Sequence, residues 1–133
     1  MDIEMNQPLA NAELAVMELL WENDRLTARR LQELLYPDAA KPQHGTIQRL
    51  LQRLEKKGFV ERDRTLPVQF FVAVVSRQTY AGMQLESLAD KLTAGSFAPL
   101  ITHLVEQKKI SREEIDKIRA ILNDSRKNKG NKS

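Results

Sequence analysis

Apolar residues recur at helical spacing from the start of the chain. Leu14, Met17, Leu20 and Trp21 fall three and four positions apart, which predicts a helix with one apolar face. Asn11 reads as its N-cap, Glu13 sits in the first turn where acids are favoured, and Asn23-Asp24 interrupts the pattern. Thr27 then caps a short second helix with Leu31, Leu34 and Leu35 pointing inward. The stretch YPDAAKPQHG, with two prolines and a glycine, predicts a loop.

The cleanest periodicity follows. From about His44 to Lys57, Ile47, Leu50, Leu51 and Leu54 lie at i, i+3, i+4 and i+7 and form one narrow stripe. At about 100° per residue, Gly45, Arg49, Gln52 and Lys56 fall opposite it, flanked by Thr46, Gln48 and Arg53. Gly58 supplies a left-handed stop. The period then drops to two: FVERDR alternates, TLP is turn-like, and VQFFVAVV is β-branched and aromatic, so a hairpin is predicted.

Three more helices are expected. Ser76 caps one reaching about Thr93, with Ala81, Leu85, Leu88 and Leu92 as its stripe, and Gly95 closes it. Phe97, Leu100, Ile101, Leu104 and Val105 define the next. Ser111 and Glu114 form a capping box for the last, which carries Ile115, Ile118 and Leu122. Residues 123–133 are polar and are expected to be disordered. The fold class is thus mainly α with a small β-hairpin. A winged helix-turn-helix domain spans residues 1–75, a helical dimerisation region 76–125, and a basic disordered tail 126–133.

Charge sharpens this picture. Residues 1–24 hold six acidic and no basic side chains. Residues 25–64 hold ten basic ones (Arg25, Arg29, Arg30, Lys41, Arg49, Arg53, Lys56, Lys57, Arg62, Arg64) against five acidic. The tail adds Arg126, Lys127, Lys129 and Lys132. Positive charge concentrated in one internal segment and one tail suits a polyanion such as double-stranded DNA.

The residue types on the third helix fit the same partner. Arginine makes bidentate contacts to guanine, and glutamine to adenine, in the major groove, which makes Arg49, Gln48 and Gln52 base-reading candidates. Thr46 and Gly45 lie at the helix N-terminus, where backbone N–H groups favour phosphate. Arg53, Lys56 and Lys57 in the second half, and Arg62 and Arg64 on the wing strand, are expected phosphate partners. The competing reading is a winged helix that docks proteins without DNA specificity, which a salt-dependent gel shift would separate.

Other chemistry has little support. The chain has no cysteine, which removes disulfides, thiolate metal sites and cysteine nucleophiles and fits a cytoplasmic protein. Its two histidines are far apart, and its five glycines form neither a GxGxxG nor a P-loop pattern. No enzyme, metal or cofactor is expected. The start, MDIEMNQPLANAEL, does not resemble a secretory signal, and no apolar run approaches the roughly 20 residues that span a membrane.

A homodimer is expected on size alone. The C-terminal helices are too short a piece to bury a stable core by themselves. Packing Leu85, Leu88, Leu92, Phe97, Leu100, Ile101, Leu104, Ile115, Ile118 and Leu122 against a symmetry mate would complete one, and a twofold protein matches a palindromic site.

From Leu9 to about Leu122 the chain resembles the penicillinase-repressor (BlaI/MecI, with CopY) family of winged-helix repressors. The resemblance is carried by LANAELAVMELLWE, by GTIQRLLQRLEKKGFVERDR and by LTAGSFAPLITHLVEQKKISREEIDKIRAILN, with Thr46, Leu50, Arg53, Leu54, Lys57 and Gly58 the most diagnostic cluster. It implies a homodimeric repressor on an inverted-repeat operator. Family members commonly have Arg and Thr where this chain has Gln48 and Arg49, so a different operator sequence is expected. Copper-responsive members use a C-terminal cysteine pair, absent here. In β-lactam-responsive members a sensor-coupled protease pathway cuts an Asn-Phe bond; the corresponding pair here is His103-Leu104, so relief by that cut is not expected. Another cleavage site, a ligand in the dimer interface and simple competition remain open as the releasing event.

Overall fold

The computed structural model describes residues 8–38 and 43–130, with side chains to residue 126. Its elements run α1 (Asn11–Glu22), α2 (Ala28–Leu35), α3 (His44–Lys56), β1 (Val60–Asp63), β2 (Phe70–Ala73), α4 (Arg77–Leu92), α5 (Ala98–Glu106) and α6 (Arg112–Gly130). This is the mainly helical winged-helix order expected from the periodicity. Among the described residues no helix is long and apolar enough to cross a membrane. The chain divides into two compact units, one through Leu88 and one from Ala89 onward, so α4 belongs to both.

The first unit is built largely on the stripes expected from the sequence, except that on α1 Val16 is buried beside Met17 and Leu20 while Leu14 and Trp21 are only half-buried. Val16, Met17 and Leu20 of α1, Leu31 of α2, and Ile47, Leu50, Leu51 and Leu54 of α3 are buried together with Phe59, Val60, Phe71, Val75 and Tyr80. Leu34 departs from its expected inward position and is exposed, because Leu31 and Leu35 point to the core and Leu34 falls at the rim of that face. Thr27 caps α2 as expected, its side chain accepting from the Arg30 amide.

The start of α1 differs by one residue. Ala10, not Asn11, is the N-cap, and Leu14 N–H donates to the Ala10 carbonyl at 2.9 Å. The side chain that stabilises this end is Glu13, whose Oε1 accepts from the Ala10 amide at 2.9 Å. That is the reciprocal half of a capping box, made without a polar cap residue.

β1 and β2 pair antiparallel with Val60 opposite Ala73 and Asp63 opposite Phe70. Leu26, between α1 and α2, adds one bridge: its amide donates to the Phe71 carbonyl at 3.1 Å and Phe71 returns a bond of 2.8 Å. The wing is therefore tied to the helical core at its inner strand. At the other side, Trp21 Nε1–H donates to the Val75 carbonyl and the Leu9 amide donates to the Tyr80 hydroxyl, both at 2.8 Å. Tyr80 also meets Phe59 edge-on, with ring centroids 5.7 Å apart. The first turn of α4 thus belongs to the winged-helix core.

In the second unit, Ala94 and Gly95 both have positive φ and turn the chain out of α4. Ser111 and Glu114 form the expected capping box on α6. That helix continues past Leu122 to Gly130, correcting the expectation of disorder from residue 123. Residues 123–129 contain no proline or glycine, and nothing in them stops a helix once it is nucleated. Lys132 lies outside the described residues, as does Lys41.

Candidate nucleic-acid interface

α3 is amphipathic in the strict sense needed for a recognition helix. Ile47, Leu50, Leu51 and Leu54 anchor one side in the core, while Gly45, Arg49, Gln52, Arg53 and Lys56 are exposed. Thr46 and Gln48 are half-buried at the edge, and the Thr46 hydroxyl donates to Gln43 Oε1 at 3.1 Å. At the helix start, Gln43 provides no side-chain cap, so first-turn amides keep donors for an outside acceptor. A Cβ at Gly45 would meet nothing within 4 Å, so packing inside the chain does not demand glycine there.

The far end of α3 is fixed by two devices. Gly58, at φ 88°, takes the left-handed conformation, and Phe59 N–H donates to the Leu54 carbonyl at 2.9 Å. Beside it Lys57 Nζ lies 2.9 and 3.1 Å from the two Glu13 oxygens. Glu13 is only 2% exposed. Burial pushes its carboxyl up, but the Ala10 amide, then Lys57 and Arg53, outweigh burial and hold it below the usual 4.5. Lys57 is therefore a structural cation, committed to joining α3 to the start of α1.

The wing cations divide in the same way. Arg62 Nε lies 3.0 and 3.1 Å from the Glu55 oxygens, and its Nη1 donates to Gln69 Oε1 at 3.1 Å. Its guanidinium also stands over the Phe71 ring. Arg62 braces the wing against α3 instead of projecting alone from the strand. Arg64 is exposed just beyond β1. Among the described residues no ion pair involves Arg49, Arg53, Lys56 or Arg64.

Arg25 had been counted only as part of the basic segment. It reaches the wing, 3.7 Å from Asp63 and over the Phe70 ring. The Thr65 hydroxyl and then its amide donate to Asp63, and together with Arg25 they hold its carboxyl below the usual 3.8. The Glu13–Lys57 and Asp63–Thr65 contacts were missed in the sequence. For the first, an acid three residues into α1 and a lysine at the end of α3 carry no local pattern linking them.

The sequence-predicted association residues lie on α4, α5 and α6. Leu85, Leu88, Leu92, Phe97, Ile101, Leu104, Ile118 and Leu122 are exposed, and Leu100 and Ile115 are half-buried. On α4 the buried residues are instead Tyr80 and Ala89, so the apolar stripe is not the face this chain covers itself. Within the second unit Ile101, Val105, Ile110, Ile115 and Ile118 line an open cavity of about 290 Å³ with Arg119.

A three-helix core, a hairpin wing and a third helix with an uncovered cationic face define a winged helix-turn-helix protein. Comparison with known proteins carries this further. The penicillinase repressor family model matches residues 9–124, and the chain belongs to that family. It is 28% identical over 116 residues to the methicillin resistance regulatory protein MecI of Staphylococcus aureus (strain N315), covering 86% of this chain and 93% of the relative. The penicillinase repressor of Bacillus licheniformis is 25% identical over 122 residues, covering 91% and 94%. The transcriptional regulator BlaI of Mycobacterium tuberculosis (strain CDC 1551 / Oshkosh) is 30% identical over 128 residues, covering 93% and 89%. The family is one of transcriptional repressors, not of enzymes.

Proposed function

We propose that this protein is a sequence-specific DNA-binding repressor that works in the cytoplasm as a homodimer on an inverted-repeat operator. In this reading α3 lies in the major groove and the wing rests on the flanking backbone. Gln48, Arg49 and Gln52 read base edges, with Gly45 and Thr46 against phosphate at the helix start. Arg53, Lys56 and Arg64 neutralise phosphates. Lys57 and Arg62 act from behind, holding α3 and the wing in register.

The observation that carries the proposal is the exposed face of α3, which combines cations and amides opposite a fully buried stripe. The dimer is supported by the uncovered stripe on α4, where Leu92 is 69% exposed, together with Leu122 on α6 at 58%. Apolar surface of that extent is ordinarily covered in a working protein, and a twofold mate presents the same surface in return.

The test is selection of a duplex from a random library by the full chain, followed by titration against random duplex. An inverted repeat is expected to emerge. Arg49→Ala should then weaken the selected site by about 1–3 kcal/mol per half-site and relax one base position. Equal affinity for selected and random duplex, or an Arg49→Ala variant that binds as well as the parent, would overturn the proposal.

A further inference from the structure

α4 leaves the winged-helix core with few holds. From Arg77 to Leu88 only Tyr80 is buried, and the other side chains are exposed or half-buried. Tyr80 gives one fixed point. Its hydroxyl accepts from the Leu9 amide at 2.8 Å, and its ring centroid lies 5.7 Å from that of Phe59 and 6.1 Å from that of Trp21. A rod held at one point can swing; a second point fixes its direction.

Arg77, one turn earlier, supplies the second point. Its Nη2 lies 3.1 Å from Glu18 Oε2 and 3.9 Å from Glu22 Oε1, and its guanidinium stands 5.4 Å over the Trp21 ring. All three partners belong to α1, and Trp21 is itself held by its bond to the Val75 carbonyl. Arginine suits the place, because a planar guanidinium can pair with carboxylates and stack on an aromatic ring at once. Half-exposed ion pairs of this kind contribute little to stability, so the first unit does not depend on them to fold. What they can set is direction.

Direction matters because α4 is long. Its sixteen residues, at 1.5 Å each, make a rod of about 24 Å, so a tilt of about 10° at the start moves the far end by about 4 Å. That displacement is close to the rise of one base pair, about 3.4 Å. The far part of α4 carries Leu85, Leu88 and Leu92, the exposed stripe assigned above to the dimer.

We propose that Arg77, clasped by Glu18, Glu22 and Trp21, is a positioning residue that sets the direction of α4 and through it the separation of half-sites the dimer accepts. The proposal rests on the homodimeric reading above and adds to it a determinant of operator spacing that touches no DNA.

The experiment titrates the full chain, at one salt concentration, against duplexes that carry the selected half-sites as an inverted repeat. The spacer is shortened and lengthened by one and two base pairs, and a further duplex carries a single half-site. Each base pair turns one half-site by about 35° and shifts it by about 3.4 Å, so the parent should lose about tenfold in affinity at each step. Arg77→Ala should lose no more than about threefold per step, because a freer α4 bears the mismatch with less strain. Its affinity for the single half-site should equal the parent's. Arg77→Glu should flatten the preference in the same way. Arg77→Glu combined with Glu18→Arg restores the pair with its charges exchanged and should recover the parent's preference. Urea unfolding followed by circular dichroism should give midpoints close to the parent's, since Arg77 is exposed.

A preference in Arg77→Ala as steep as the parent's, an equal loss on every duplex including the single half-site, or failure of the exchanged pair to restore the preference would each overturn the proposal. The parent's own titration separates the two levels. If it binds paired half-sites no better than one, the dimer on an inverted repeat fails and takes the clasp with it. If it discriminates spacers and Arg77→Ala does so equally, only the clasp fails.

Discussion

Lys57→Met is the sharpest test of how α3 is held. The change keeps most of the apolar stem and deletes the ammonium that lies 2.9 Å from Glu13. It leaves a carboxylate 2% exposed with only the Ala10 amide as a close partner. Breaking a buried pair from one side costs about 3–5 kcal/mol, and since Lys57 is only half-buried the lower end, about 3 kcal/mol, is expected at pH 7. Glu13→Gln should cost less, about 1–2 kcal/mol, because the amide oxygen still accepts from Ala10 and Lys57 is free to turn to water. The acid dependence carries the sign. In the parent, Glu13 titrates below 4.5, so its stabilising contribution is present above that pH and is lost as pH falls through the folded-state value. In Lys57→Met the hydrogen bond and charge of Lys57 no longer lower the Glu13 carboxyl while burial still raises it, so it titrates higher than in the parent and the penalty present at neutral pH is relieved on acidification. The gap between the two proteins must therefore narrow from pH 7 to pH 4. Urea unfolding at matched protein concentration, followed by the single tryptophan, Trp21, measures it. A Lys57→Met protein as stable as Glu13→Gln at pH 7, or a gap independent of pH, would refute the assignment.

Two further outcomes are expected. With Arg53, Lys56 and Arg64 as phosphate partners in each protomer, a dimer should show a salt slope of about −5, measured by titrating the selected duplex across KCl concentrations. A slope beyond about −9 would mean that paired cations such as Arg62 are released to the DNA. Leu88→Asp combined with Leu92→Asp should give a monomer by sedimentation at micromolar concentration and weaken operator binding by tenfold or more, as avidity is lost; a persistent dimer would place the association surface elsewhere.

The helices of the first unit were legible because each carries a stripe that meets the core: Ile47, Leu50, Leu51 and Leu54 on α3 are all buried. The wing was legible for a similar reason, since period-two alternation flanks a turn. What escaped was contact between distant segments. The Leu26–Phe71 bridge is one residue long and cannot show a period. Tyr80 belongs to a helix whose apolar pattern advertises Ala81, Leu85 and Leu88, yet its own ring is what packs into the winged-helix core. The extent of α6 was missed through composition, because a polar run free of proline and glycine is as compatible with an exposed helix as with a disordered chain.

The candidate interface makes the same distinction more consequential. Ten cations in residues 25–64 give a basic segment, but a sequence records charge and not whether that charge is already opposed. Lys57 faces Glu13, Arg62 faces Glu55, Arg25 faces Asp63 and Arg30 faces Glu33. Two of those pairs, Lys57–Glu13 and Arg62–Glu55, fix α3 to α1 and the wing to α3. Arg29, Arg49, Arg53, Lys56 and Arg64 remain without an ion pair among the described residues. In the proposed function, the charge that orders the scaffold and the charge offered to DNA are thus different residues of the same types. Substituting Lys57 or Arg62 should lower stability and affinity together. Substituting Arg49, Lys56 or Arg64 should lower affinity alone, whereas Arg53 also bears on Glu13.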